Sequence, residues 1–583
     1  MGNRDLRLRR RWLTFGNLIL SGVILVGAAL RFYGLAWDAP YFFHPDEGRV
    51  IQVTMKLESA LNPEFSIYGL LPMYLLHSVR LALAPLLPPT RFNLYIMGRV
   101  LSASFGSLSI FICYLAARRA YSRKTGLLAA SLLAFSVLHI RKSHFYSVDI
   151  TFTFLNLVAL VLILTLTGKK ETLRYLKAGL ACGMVLAVKV GAFALPVPLI
   201  VAHLSGGGGF ARLFRRLGDW RLYLALACMV GVFIALNPFS ILDLGNYFLH
   251  HGLLWNLFMA QGYFRPQYTL QYEGTMPYIY YLANVLFWGL GPFLEVAAIL
   301  GIMYALVRWR KAENAVLVSF ALVYFLTTGS WRVKFSRYAL PLVPVMALLA
   351  ANFLLEWRSL PFFLRFPAWL EKVGVVLVVV PSFLYSLASI QIYARPDTRI
   401  EASRWIYENV PSGATILLEN DKDAYAPPIK GERYHLARLN FDYLYRHSPL
   451  GAQSYVPGFL RGLNITRKKG EVTDEGGELL SDEERWQYIN GRLAQADYIV
   501  FSERNYDLYR RLPELFPVEY EYYRKLFAGE MDFELIQVFE RRPGLFGLEI
   551  DDSQAELTSR IFDHPTIWIF RRSEEPGMVN ADE

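Results

Sequence analysis

The chain has 583 residues, of which 54% are hydrophobic and 15% aromatic, and its formal charge is +11. Such a composition excludes an ordinary soluble enzyme and also a protein made only of membrane spans; it calls for a large membrane part joined to a soluble one. Cys113, Cys182 and Cys228 all fall within apolar runs, which leaves no disulfide framework and no thiolate metal spacing.

At the N-terminus, Arg4–Arg11 is basic and the apolar run 13–35 is too long for the core of a signal peptide, so it is expected to be an uncleaved first span. An outer segment, 37–93, follows. It carries His44-Pro45-Asp46-Glu47 and an apolar stretch, Leu71–Leu87, closed by Pro88-Pro89 and expected to lie as a helix in the interface. Further spans are expected near 94–117, 126–141, 148–167, 173–188, 190–204, 221–237, 279–307, 312–329, 338–357 and 373–393. Every even-numbered span ends in a basic loop, for example Arg118-Arg119 with Arg123-Lys124, and Arg308 with Arg310-Lys311. The positive charge is therefore topogenic rather than a nucleic-acid surface, and it sets the N-terminus inside.

Residues 173–204 could be one span or two. One span would bury Lys189 near the bilayer centre at a cost of about 2.5–3.5 kcal/mol. Two short spans meeting at Lys189 near the outer face avoid that cost. A second outer segment, 238–278, is rich in aromatics and holds His250 and His251.

After residue 393 no run reaches membrane length. Candidate strands at Thr415–Leu418, Tyr498–Phe501, Glu534–Phe539 and Thr566–Phe570 alternate with helical patterns such as Ile400–Glu408 and Arg504–Leu515. The expected architecture is thus a polytopic α-helical membrane part, 1–393, with about 11 transmembrane helices, and an extracytoplasmic mixed α/β domain, 394–583.

Four charged sites map to the outer side of this topology. Asp46 and Glu47 are adjacent acids just outside the first span. They are either solvated loop acids or a base suited to taking a proton from an acceptor hydroxyl. Asp149 opens the fourth span, as a helix-start acid favoured by the dipole or as a second functional acid. Arg332, Lys334 and Arg337, with Tyr338, form a basic cluster that runs against the positive-inside rule and suits phosphate. Lys189 is a further ionisable group between apolar runs. His44, His139, His144, His250 and His251 share that side and with the acids, Glu47 above all, could hold a divalent cation, although no two have a strong ligand spacing.

In the order Phe43-His44-Pro45-Asp46-Glu47, Gly69-Leu70-Leu71-Pro72-Met73-Tyr74, Gly98-Arg99-Val100-Leu101, Asp149, Val188-Lys189-Val190-Gly191, Arg337-Tyr338-Ala339-Leu340-Pro341, Asp397-Thr398-Arg399 and Val410-Pro411-Ser412-Gly413, the chain resembles a membrane glycosyltransferase of the GT-C superfamily. It is most similar to the polyprenyl-phosphate-sugar-dependent family 39, with its protein O-mannosyltransferases and aminoarabinose transferases. The resemblance covers most of residues 1–410.

It implies a polyprenyl-phosphate sugar as donor, a protein, lipid or glycan as acceptor, and a multi-pass protein of the cell membrane, bacterial in type. It also implies Asp46 as the base with Glu47 beside it, Asp149 as the second acid, and Lys189, Arg337 and Tyr338 on the donor phosphate. Two departures leave the acceptor open: the C-terminal region is no β-trefoil, and the loop after the seventh span lacks a metal-ligand pattern. A flippase for lipid-linked sugars, or a glycan polymerase or ligase, are the alternatives. A flippase would be expected to distribute its charges along a path through the bundle rather than gather them on one side.

Overall fold

A computed structural model describes the chain apart from residues 1–2, 64, 66, 169, 206–214, 249–252, 264, 420–423, 454–478 and 574–583. The chain divides into two compact units. One comprises Met1–Leu35, Arg49–Leu253 and Met276–Ile390; the other comprises Ala36–Gly48, Leu254–Thr275 and Gln391–Glu583. Two stretches far upstream, 36–48 and 254–275, thus pack with the C-terminal chain.

The first unit is helical. Among the described residues, five helices are long and apolar enough to cross a membrane, or up to seven if each of two bent pairs is one span. Shorter apolar helices occupy Val148–Leu164, Gly191–Leu204 and Trp220–Leu236.

Two spans that the sequence draws as continuous are bent. Arg123–Ala134 meets Val137–Ser143 at 60°, and Tyr281–Leu290 meets Pro292–Val307 at 116°. The second break falls where Gly291 takes φ 79° and Pro292 starts the next helix, a helix-terminating pair. At the first break, the carbonyls of Leu133 and Ala134 fall out of the i+4 helical ladder, though Leu133 O still accepts from Ser136 N–H at 3.3 Å. The buried guanidinium of Arg31 donates to both, at 3.0 and 3.1 Å, and lies 3.0 Å from His139 Nδ1. His144 is likewise engaged by main chain, 3.0 Å each from the Ile140 and Tyr33 oxygens. His139 thus serves the first bend through Arg31, and His144 closes the far end of the helix that follows it. Segment 173–204 is broken at Lys189: the helix Thr172–Leu186 stops, Lys189 is extended (φ −159°, ψ 143°), and a 3₁₀ turn, Val190–Ala194, leads to Pro196–Leu204.

The second unit is built on a five-stranded sheet. Its strands are β1 (Thr415–Leu418), β2 (His435–Arg438), β3 (Tyr498–Ser502), β4 (Phe533–Phe539) and β7 (Ile567–Arg572), in the order β2-β1-β3-β7-β4. β1 is parallel to β2 and β3, whereas β7 is antiparallel to β3 and β4. A hairpin of β5 (Gly544–Leu545) and β6 (Leu548–Glu549) stands apart from it.

Successive strand residues enter opposite cores, as the period of two requires. Leu417, Ile499, Phe501 and Phe570 pack with helices 441–446, 482–493 and 517–527. Ile416, Leu418, Val500, Ile567 and Ile569 pack with Ala402 and Ile406 of the helix Thr398–Asn409. Both faces are covered, as parallel pairing normally demands.

Candidate functional site

The site residues expected from sequence fall into two sets, one in each unit. In the helical unit, Lys189 Nζ donates to Asp149 Oδ1 at 2.8 Å, and both side chains are largely buried. Asp149 is the second residue of the helix Val148–Leu164; Lys189 is the extended residue at the broken span. The ammonium also lies 5.1 Å from the Tyr338 ring and 5.8 Å from the Tyr68 ring, within cation–π reach.

Arg337 lies over the rings of Phe335 and Tyr338, and it and Lys142 both act electrostatically on the Asp149 carboxylate. One acid thus stands among three cations, leaving an excess of positive charge suited to a phosphate. Lys334 takes other partners: its ammonium is buried, bonded to the Arg332 carbonyl at 2.9 Å and 6.0 Å from the Tyr280 ring.

The backbone around Lys189 is held by groups that carry no charge signal. Gly69 N–H donates to Val188 O at 3.0 Å. Leu70 N–H donates to Asn237 Oδ1 at 2.7 Å, and Asn237 Nδ2 donates to Ala187 O at 3.3 Å. A Cβ at Gly69 would sit 1.9 Å from Ala187 O, so only glycine fits there. Tyr68, Gly69 and Asn237 are therefore part of the site although only Gly69 lies in a stretch that sequence singles out. Their contacts span from fifty to more than a hundred residues of chain, beyond the reach of local pattern.

In the other unit, Asp46 and Glu47 are in the first turn of the helix Pro45–Lys56, where the helix dipole favours acids. Asp46 is half-exposed, whereas Glu47 is fully buried. The Glu47 N–H points at His44 Nδ1 at 3.5 Å.

The approach to this helix is tightly held. Phe42 sits at φ 55°, a strained value for an aromatic residue. Asp38 restrains it: its carbonyl accepts from Phe42 N–H at 3.2 Å and its carboxylate from Phe43 N–H at 3.2 Å. Arg399 lies 4.0 Å over the Phe43 ring and is itself fixed by a bidentate bond to Asp397 at 2.7 and 2.8 Å, with both side chains wholly buried. His44 stacks 4.5 Å from Phe562.

Among the described residues, no group of three His, Cys, Asp or Glu side chains is placed to hold a metal ion. His250 and His251 lie outside the described residues. The candidates His44 and Glu47 therefore gain no third ligand in the described structure.

A family model described as dolichyl-phosphate-mannose-protein mannosyltransferase matches residues 91–236, the stretch that contains Asp149 and Lys189. No curated protein matches the chain in sequence. The oligosaccharyltransferase AglB of Archaeoglobus fulgidus, solved with an inhibitory peptide and a dolichol-phosphate, superposes with a TM-score of 0.50 at 13% identity, over 92% of this chain and 75% of that one.

The chain has the GT-C glycosyltransferase fold.

Another protein of GT-C type, ArnT from Cupriavidus metallidurans bound to undecaprenyl phosphate, is similar at a TM-score of 0.45 and 13% identity, over 96% of this chain and 98% of that one. The GT-C fold accounts for the polytopic helical unit.

Proposed function

We propose that the chain transfers a sugar, with inversion, from a polyprenyl-phosphate donor to an acceptor hydroxyl at the outer face of the membrane. The observation that carries this reading is the Asp149–Lys189 pair set beside Arg337, Tyr338 and Tyr68. Lys189 and Arg337 hold the donor phosphate, Tyr338 gives it an aromatic wall, and Asp149 keeps the Lys189 ammonium in place. Arg332 and Lys334 shape the outer loop rather than touch the phosphate.

Asp46 takes the acceptor proton as the hydroxyl oxygen attacks the anomeric carbon. The carbon–oxygen bond to phosphate breaks, and polyprenyl phosphate leaves as an already stable anion, so cations can replace an acid catalyst. Glu47 is buried at the same helix start and orients Asp46. Donors with a dolichol-phosphate or an undecaprenyl phosphate lipid suit this reading, since those lipids occupy the structures of AglB and ArnT.

Cells lacking the chain test the assignment through their pool of polyprenyl-phosphate sugars. The pool should rise on deletion, fall again with the wild-type chain and stay high with Asp46→Asn, while the variant still inserts and melts normally. A normal pool with Asp46→Asn sinks the base assignment. Donor that accumulates on the inner leaflet alone would point to a flippase.

A further inference from the structure

The hairpin of β5 and β6 turns through Phe546 at φ 55° and Gly547 at φ 81°. Both are left-handed, as the favoured two-residue hairpin turn requires, and that turn is ordinarily made from Asn-Gly or Asp-Gly. Asn and Asp tolerate positive φ through local bonds of a short polar side chain, whereas an aromatic there is sterically strained. No burial offsets that strain: Phe546 is 89% exposed and Leu548 beside it 75%. A bulky apolar side chain held in a strained turn and left open points to a partner outside the chain.

The base of the hairpin indicates which partner. Arg541 donates to the carbonyls of Ile392, Arg395 and Pro396 at 3.3, 3.2 and 2.7 Å, and to Glu401 at 2.7 Å. In sequence, Ile392 comes two positions after the apolar helix Trp369–Ile390 ends. Phe546 is only five positions beyond Arg541, so at roughly 3.3 Å per residue the tip lies within about 17 Å of the Arg541 Cα. Arg542 at the base is paired with Glu540 and Asp551, and Leu545-Phe546-Gly547-Leu548 carries no charge.

We propose that this tip seats in the bilayer interface, with Phe546 and Leu548 inserted among lipid headgroups as an anchor for the C-terminal unit. Aromatic and aliphatic tips of this kind favour the boundary between headgroup and acyl chain. The proposal does not depend on the reaction the chain performs.

The test uses the full chain in lipid nanodiscs, with Cys228→Ser to remove the partly exposed native thiol and a nitroxide on Leu548→Cys. Collision with oxygen, which partitions into lipid, is compared with collision with a water-soluble nickel chelate, against a label on the exposed Glu432→Cys. Oxygen access should be high at 548, and nickel access several-fold lower than at 432. Adding Phe546→Asn, which suits the turn, should raise nickel access at 548 while the chain melts at the same temperature or higher. High nickel access in the parent overturns the proposal. Low access to both reagents means a protein contact and overturns it too, as does a Phe546→Asn variant that leaves the label unmoved.

Discussion

Lys189 is legible in the sequence because a lone cation between two apolar runs has few structural uses, and Asp149 because it opens a span. That the two meet at 2.8 Å is not legible, since forty residues separate them. The pairing changes what each substitution should do. Removing one member of a buried ion pair leaves the other charge uncompensated, a loss of about 3–5 kcal/mol, whereas replacing both with apolar groups is often neutral. Asp149→Asn should therefore lower the melting temperature sharply, Lys189→Met should do so as well, and the double variant should recover most of the loss. Transfer should remain absent in all three. A double variant whose destabilisation is the sum of the two would deny the coupling.

Glu419 is a further buried acid, one that sequence does not mark. It follows β1 and accepts hydrogen bonds from Tyr523 at 2.6 Å and Tyr522 at 3.1 Å, and burial pushes its carboxyl up to about 8. The unfolded chain releases that proton near the ordinary glutamate value of about 4.3. Between these values the folded chain holds more protons, so this group's contribution is fully present below about 4.3 and is lost as pH rises through about 8. Glu419→Gln keeps the neutral form at every pH. Its melting temperature should match wild type at pH 4 and exceed it at pH 9; parallel profiles would show that the carboxyl is already charged in the fold.

At the level of elements, the helices occupy the stretches that hydropathy marks, and β1, β3, β4 and β7 fall on the four stretches read as strands. β2 was not legible: His435-Leu436-Ala437-Arg438 has no β-branched residue, and as an edge strand it is only partly covered. The bends at 134–137 and 290–292 also escape hydropathy, which sums apolarity over a window and is blind to a break that Arg31 repairs from another helix. The approach to Asp46 shows the same limit. Asp397-Thr398-Arg399 is visible as a motif, but only the fold shows Arg399 stacked on Phe43. Segment 68–70 lies against 187–189 with room for hydrogen alone at Gly69. Gly69→Ala forces this segment away, costing about 1–3 kcal/mol as overpacking does, and carries Tyr68 away from the Lys189 ammonium. Donor KM should rise several-fold with less change in kcat. An unchanged KM would remove Tyr68 from the donor site.

For the whole molecule, the open matter is which side each loop faces. Basic loops follow alternate spans, and the exposed tryptophans Trp220, Trp309 and Trp369 lie next to three of them. Indole rings gather at either membrane–water boundary and Lys and Arg on the cytoplasmic side, so the tryptophans suit a boundary at these loops and the basic residues are expected to put that boundary inside. On that frame, 330–335 and the chain after Ile390 are expected on the opposite side. In the second half of the chain the expected spans alternate without the ambiguity that Lys189 introduces upstream. Alkaline phosphatase, active only outside the cytoplasm, reads this directly when fused after successive truncation points. Fusions after Lys311 and Arg358 should be inactive, and fusions after Trp331 and Ser573 active. An inactive fusion after Ser573 would place the α/β unit inside. It would also remove the exposure to an external acceptor that the proposed transfer requires, whatever the behaviour of Asp46→Asn. An active fusion after Lys311 with an inactive one after Trp331 would invert the frame as a whole, and the Arg337 cluster would then be ordinary topogenic charge.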